Sequence, residues 1–97
     1  CGALLRQHVL WFDETYDEAH YRFESSLLAA GHAAVLLVVG TSGATNLPNQ
    51  VASLAARRGA LVVDINPEDN PFGDIARYSL RDLAGVALPP IAAAMGL

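Results

Sequence analysis

Two short stretches of this chain combine residue types that could do chemistry: Gly40-Thr41-Ser42 and Asp64-Ile65-Asn66. Glycine lets a backbone approach a ligand closely, and the hydroxyls of Thr41 and Ser42 can bond ribose or phosphate oxygens. The Asn66 amide offers both donors and acceptors, and the Asp64 carboxylate could reach a ribose. Each stretch ends an apolar run, and in an open parallel sheet the carboxyl ends of the strands are where a nucleotide binds. A helix starting just beyond Ser42 would add a field that favours an anion. The same residues also suit a blander role, as a polar strand-to-helix turn and as an Asn capping the Asn-Pro turn. No Gly-x-Gly-x-x-Gly turn is present, so the usual pyrophosphate cradle is missing.

The elements that must position these residues follow from spacing. Val35–Val39 is an unbroken apolar strand of the kind expected at the centre of a parallel sheet. Pro48 suits the first turn of a helix, Val51, Leu54, Ala55 and Arg58 continue it, and Gly59 ends it. Leu61–Ile65 is the next strand, Asn70-Pro71 opens one short helical turn, and Arg77–Leu80 is a further short strand. Upstream, Val9–Phe12 reads as a strand or extended segment. Thr15-Tyr16-Asp17-Glu18 has the spacing of a capping box. It predicts one helix with an apolar stripe of Tyr16, Ala19, Phe23, Leu27 and Ala30, stopped by Gly31. Val86–Met95 predicts a terminal helix interrupted near its start by Pro89-Pro90. Alternating strands and helices give an α/β class with a parallel sheet and flanking helices.

The chain has 97 residues, enough for one small domain, with 53% hydrophobic residues and only 16% charged against a usual ~25%. That balance fits strands buried on both faces, or a piece that has lost a packing partner. A net charge of -4, with six scattered arginines as the only basic residues apart from histidine, gives no nucleic-acid patch. No apolar run approaches the ~20 residues that span a bilayer, so no membrane partner is expected. A single cysteine excludes an internal disulfide framework. The chain opens on Cys1 rather than Met, which suggests a piece of a larger protein. The expected location is the cytoplasm.

Four motifs in order make the pattern specific: Cys1-Gly-Ala-Leu-Leu-Arg6, His8-Val-Leu-Trp-Phe12 with Glu14, Gly40-Thr-Ser42 and Asp64-Ile-Asn66. Together they resemble the C-terminal half of a sirtuin, whose pattern reads roughly Cys-Gly-Gly-x-Leu-Arg-Pro, Val-Val-Trp-Phe-Gly-Glu, Gly-Thr-Ser and Ile-Asn. Sirtuins are NAD-dependent protein-lysine deacylases. The resemblance covers nearly the whole chain. It implies that residues 1–97 are the C-terminal part of a partial Rossmann-like (DHS-like) NAD-binding domain, with residues 1–8 the tail of a zinc-module region. It implies NAD contacts from Gly40, Thr41, Ser42 and Asn66. It implies that Val9, Leu10, Phe12, Asp13 and Glu14 belong to the segment that meets an acylated lysine of a protein substrate. Cys1 matches the last zinc cysteine of a structural site whose other ligands are absent from this chain.

None of the three histidines, His8, His20 and His32, matches the family's catalytic base, which lies in the missing N-terminal half of the domain. No catalytic residue is therefore expected here, and the chain alone is expected to be inactive. Gln7 stands where the pattern has Pro, and Asp13 where it has Gly. Asp13 places a negative charge beside the substrate segment and puts the usual acetyl-lysine preference in question. Two other functions use the same contacts: a non-catalytic NAD or ADP-ribose binding module, and an NAD hydrolase on the same fold.

Overall fold

The computed structural model describes residues 1–5, 7–11 and 13–97. Its elements run α1 (Glu18–Tyr21), α2 (Phe23–His32), β1 (Val35–Val39), α3 (Asn46–Arg57), β2 (Leu61–Ile65), a 3₁₀ turn (Pro71–Asp74), β3 (Tyr78–Leu80) and α4 (Ala84–Ala94). The three strands form one parallel sheet in the order β1-β2-β3. Strand–helix–strand alternation and the α/β class match the sequence expectation, and both β1 and β2 have the expected bounds.

The core follows from the two-residue period of a strand. Leu36 and Val38 of β1 face α3, and Val38 joins Ala52, Val62 and Phe72 in the buried cluster. The alternate residues Val35, Leu37 and Val39 are 53%, 41% and 38% exposed. Among the described residues, β2 lies between β1 and β3, and β1 pairs with β2 alone. An unbroken apolar run records that both faces are built for burial, not which neighbour covers them.

Helix boundaries depart from expectation where local backbone chemistry overrides spacing. The single helix expected after Thr15 is broken by Arg22, which sits in the left-handed region at φ 53 and closes α1 by donating its N–H to the Glu18 carbonyl. Asp17, not Thr15, caps α1: its Oδ1 accepts from the His20 N–H at 2.7 Å. Glu18 leaves the capping box and instead accepts from the Ser25 N–H and hydroxyl. The His20 N–H, and secondarily the His20 ring, hold the Asp17 carboxyl below its ordinary value; the Ser25 hydroxyl and N–H do the same for Glu18. Gly31 does not stop α2. The helix runs to His32, and extended Ala33 closes it by donating to the Ala30 carbonyl. Of the stripe, Ala30 is buried, Tyr16, Phe23 and Leu27 are half-buried, and Ala19 is exposed.

Two further punctuation marks behave as their chemistry dictates. Gly59, at φ 90, turns the chain out of α3, and the Asn70 side chain accepts from the Phe72 N–H to start the 3₁₀ turn. Pro89-Pro90 does not interrupt α4, which continues through both. Proline's fixed φ is itself helical, and what it removes is the N–H. The carbonyls left without that donor belong to Gly85 and Val86, both exposed to water.

Phe72 is 2% exposed and wedges the 3₁₀ turn against β1, β2 and α3. Phe72→Ala is expected to lower stability by about 3–5 kcal/mol, read as a reduced urea midpoint at unchanged slope. A loss under about 1 kcal/mol, the level of an ordinary surface change, contradicts this packing.

Candidate functional site

The register places the site. Val39 pairs with Ile65, and Ile65 with Leu80, so all three strands end on one row. The next residue of each strand, Gly40, Asn66 and Arg81, continues that row. The Gly40 N–H donates to the Ile65 carbonyl at 3.0 Å and the Asn66 N–H to the Leu80 carbonyl at 3.1 Å. The structure therefore brings Gly40 and Asn66, 26 positions apart in the chain, to the same carboxyl edge. Arg81 joins them, although sequence reasoning stopped at the end of its strand.

Around Gly40 the backbone is shaped for approach. Gly40 has φ +66, and open space stands where a Cβ would project. The Thr41 hydroxyl accepts from the Gly43 N–H at 3.3 Å and the Ser42 hydroxyl from the Ala44 N–H at 3.4 Å. Both bonds use oxygen lone pairs and leave each O–H to donate elsewhere. Ser42 is exposed and Thr41 half-buried. Gly43, which the sequence reading passed over, also has φ +73, and an added Cβ would come within 3.2 Å of Phe72 and Pro71. Asn49 donates to the Gly43 carbonyl at 2.7 Å and ties the turn to α3.

Asn66 is buried and stitches the two strand ends together. Its Nδ2 donates to the Thr41 carbonyl at 3.0 Å, and its Oδ1 accepts from the Glu68 N–H at 3.0 Å. It thus caps its own turn, the blander role, and still keeps one N–H and one lone pair. Asp64 is different. It is fully buried, with Oδ1 accepting from Asn70 at 3.1 Å and Oδ2 paired with Arg81 at 2.7 Å. Both oxygens are engaged within the protein, so the structure gives Asp64 a scaffold role and not a ribose contact.

The upstream segment lies beside the same edge. Among the described residues, Val9–Trp11 form no strand, which corrects the strand alternative of the strand-or-extended-segment reading; Phe12 lies outside the described residues. The chain instead turns on itself: the Glu14 N–H donates to the Trp11 carbonyl, and the Glu14 carboxylate accepts from the Trp11 N–H, both at 3.0 Å. Such a turn satisfies locally the backbone groups that a strand would need a neighbour for. Leu10, Trp11 and Glu14 line a cleft of about 470 Å³ whose far wall is Ala44–Asn46, where the chain enters α3. A second cleft, of about 540 Å³, is bordered by Leu10, Asp13 and Glu14 on one side and Asp17, His20 and Tyr21 on the other. Asp13 and Val9 are exposed.

Cys1 is exposed and free. A structural zinc needs four ligands, and among the described residues no group of three or more His, Cys, Asp or Glu is arranged to hold a metal. These residues by themselves do not fit a zinc site. His20 and His32 are exposed, with His20 on Asp17 and His32 donating to the Leu28 carbonyl. His8 stacks on Tyr21 with ring centroids 5.0 Å apart.

The two glycines of the turn separate strain from space. Gly40→Ala meets only the left-handed backbone cost, about 1–2 kcal/mol. Gly43→Ala meets that cost and a contact with Phe72 and Pro71 as well. Thermal denaturation of both variants is expected to show Gly43→Ala as the larger loss; equal losses contradict the tight packing at Gly43.

With this geometry in place, comparison with known proteins is specific. No family model matches the chain. A protein of Leptospira interrogans named NAD-dependent protein deacylase is 37% identical over 91 residues, covering 94% of this chain and 36% of that protein. The NAD-dependent protein deacylase Sir2 of Mycolicibacterium smegmatis is 42% identical over 95 residues, covering 94% of this chain and 37% of that protein. A solved Sir2 homologue in complex with NAD superposes with a TM-score of 0.86 at 30% identity, over 99% of this chain and 37% of the other. Sir2Tm bound to a propionylated peptide superposes at 0.81 over 99% of this chain and 40% of the other, and at 20% identity it speaks for the fold alone. The chain spans a little over a third of the length of the curated relatives it matches. Over that span, the chain is similar to the sirtuin (Sir2) deacylases in both sequence and fold.

Proposed function

We propose that the protein carrying this chain is an NAD-dependent protein-lysine deacylase, and that these 97 residues form the C-terminal part of its NAD-binding domain. The observation that carries the reading is the shared row at the carboxyl edge, where Gly40, the Thr41 and Ser42 hydroxyls and the Asn66 amide converge. Relatives named NAD-dependent protein deacylase, and a Sir2 homologue solved with NAD, support it.

The residues fit the cofactor. Open space over Gly40 admits a ligand that a Cβ would obstruct. Ser42 and Thr41 keep O–H donors for ribose or phosphate oxygens, and Asn66 keeps a donor and an acceptor for the adenosine side. Bound NAD would supply an electrophilic ribose carbon, open to attack by the acyl oxygen as nicotinamide leaves. The work of this chain is to bind and orient. Gly40–Ser42 fix one part of the dinucleotide, Asn66 fixes another, and Leu10 with Val9 and Glu14 borders the acylated lysine of a peptide substrate. The base that takes a proton is not assigned to any of these residues. Cys1 enters only as one ligand of a zinc completed by residues outside this chain.

Calorimetric titration of the full-length protein with NAD tests the reading. Ser42→Ala and Asn66→Ala each remove one neutral hydrogen-bond partner, worth about 1–2 kcal/mol, and are expected to weaken binding about five- to thirtyfold. Unchanged affinity in both variants contradicts it. NAD binding without nicotinamide release in the presence of an acylated peptide would point to the binding module instead.

Acyl choice follows from Asp13. Its exposed carboxylate shares a cleft rim with Glu14 and Asp17, and like charges brought together away from water repel at a cost. The enzyme is therefore expected to remove acetyl faster than succinyl from the same peptide, with Asp13→Gly narrowing the ratio of the two kcat/KM values. An identical ratio in both enzymes removes Asp13 from acyl selection.

A further inference from the structure

Arg81 is the residue of the carboxyl-edge row with no part in the reading above, and its contacts are specific. One guanidinium nitrogen, Nη1, donates to the Asn66 carbonyl at 2.8 Å and to the Glu68 carbonyl at 2.9 Å. The other, Nη2, pairs with the fully buried Asp64 at 2.7 Å. Nε faces Asp69 at 3.3 Å. A single side chain therefore clamps the loop 66–69 from behind while anchored on β2. The planar guanidinium fork makes this possible, because it offers five donors in a fixed geometry where an ammonium is a single point.

We infer that Arg81 is a positioning residue for the NAD site, setting the Asn66 amide by holding the backbone of its loop. The inference rests on the NAD reading of Asn66. Asn66 is tethered at three places: its N–H to Leu80, its side chain to Thr41 and Glu68, and its carbonyl to Arg81. The bond from the Glu68 N–H to Asn66 Oδ1 already closes a turn around Pro67. Arg81 braces that turn at both ends, holding the Asn66 carbonyl and the Glu68 carbonyl with one nitrogen. Arg81 needs no contact with the ligand to do this.

Asp64 complicates the obvious test, because removing the guanidinium altogether would strand a buried carboxylate, which is strongly destabilising. Arg81→Lys avoids this. Its ammonium can pair with Asp64 but cannot also reach both loop carbonyls in the forked geometry. In the full-length protein, Arg81→Lys is expected to melt within a few degrees of wild type while binding NAD about five- to tenfold more weakly. Amide hydrogen exchange is expected to rise at Asn66, Glu68 and Asp69 and to stay unchanged in Leu61–Ile65. The double variant Arg81→Lys/Asn66→Ala is expected to bind no more weakly than Asn66→Ala alone, since a residue acting through another adds nothing once that other is gone. Additive losses, or unchanged NAD affinity in Arg81→Lys beside a weakened Asn66→Ala, overturn the positioning role and leave the NAD reading intact. A melting temperature that falls sharply, with affinity of the folded fraction and exchange at Asn66, Glu68 and Asp69 unchanged, assigns Arg81 to stability alone and also overturns it. Wild-type protein that binds no NAD overturns both.

Discussion

Parallel pairing of three strands whose last residues lie on one row is the constraint on which the site depends. Peptide units that end together must place the residues that follow them side by side, and those residues are the ones with chemistry to offer. Gly40 supplies an open backbone, Asn66 an amide and Arg81 a guanidinium. A shift of one residue in β2 would turn Asn66 to the other face of the sheet and send Asp64 away from Arg81. Among the described residues, that register is held by Leu36, Val38 and Val62, which pack against α3 and Phe72.

The Asp64–Arg81 pair joins a fully buried carboxylate to a guanidinium that stays partly in water. Such a pair is weak evidence for net stability, because desolvating the carboxylate offsets much of the attraction. Its geometry is better explained by specificity. Asp64 receives Asn70 as well as Arg81, and Asn70 starts the turn that presents Phe72 to the core. The same carboxylate thus links the loop after β2, the turn before β3 and the end of β3. Electrostatics here fixes where loops lie, and apolar burial holds the sheet together.

Much of this was legible in the residues. Val35–Val39 and Leu61–Ile65 declare themselves by apolar runs of strand length, and Gly40 and Asn66 by standing at their ends. Gly59 and Asn70-Pro71 act as their local chemistry says. Arg22 was not legible, because a non-glycine residue at positive φ carries no sequence mark; nothing in spacing reveals that it splits one expected helix into two. The Trp11–Glu14 turn was hidden for a related reason. An apolar quartet reads as a strand, but a strand needs a neighbour, and here the backbone closes on the Glu14 carboxylate. Arg81 could have been found by the rule that singled out Gly40 and Asn66, applied to the third and shortest strand. What no rule on one chain reveals is its tether to the Asn66 carbonyl, which depends on two loops meeting across 15 positions of sequence.

The central claim is that NAD is held on the carboxyl-edge row. Backbone amide NMR shifts of the full-length protein, followed as NAD is added, address it most directly because they report location as well as affinity. The account predicts saturable shifts concentrated at Gly40–Gly43 and Asn66–Glu68, with smaller ones at Arg81. Shifts confined to residues of α2 and α3, or saturable binding that leaves Gly40, Ser42 and Asn66 unmoved, would contradict it.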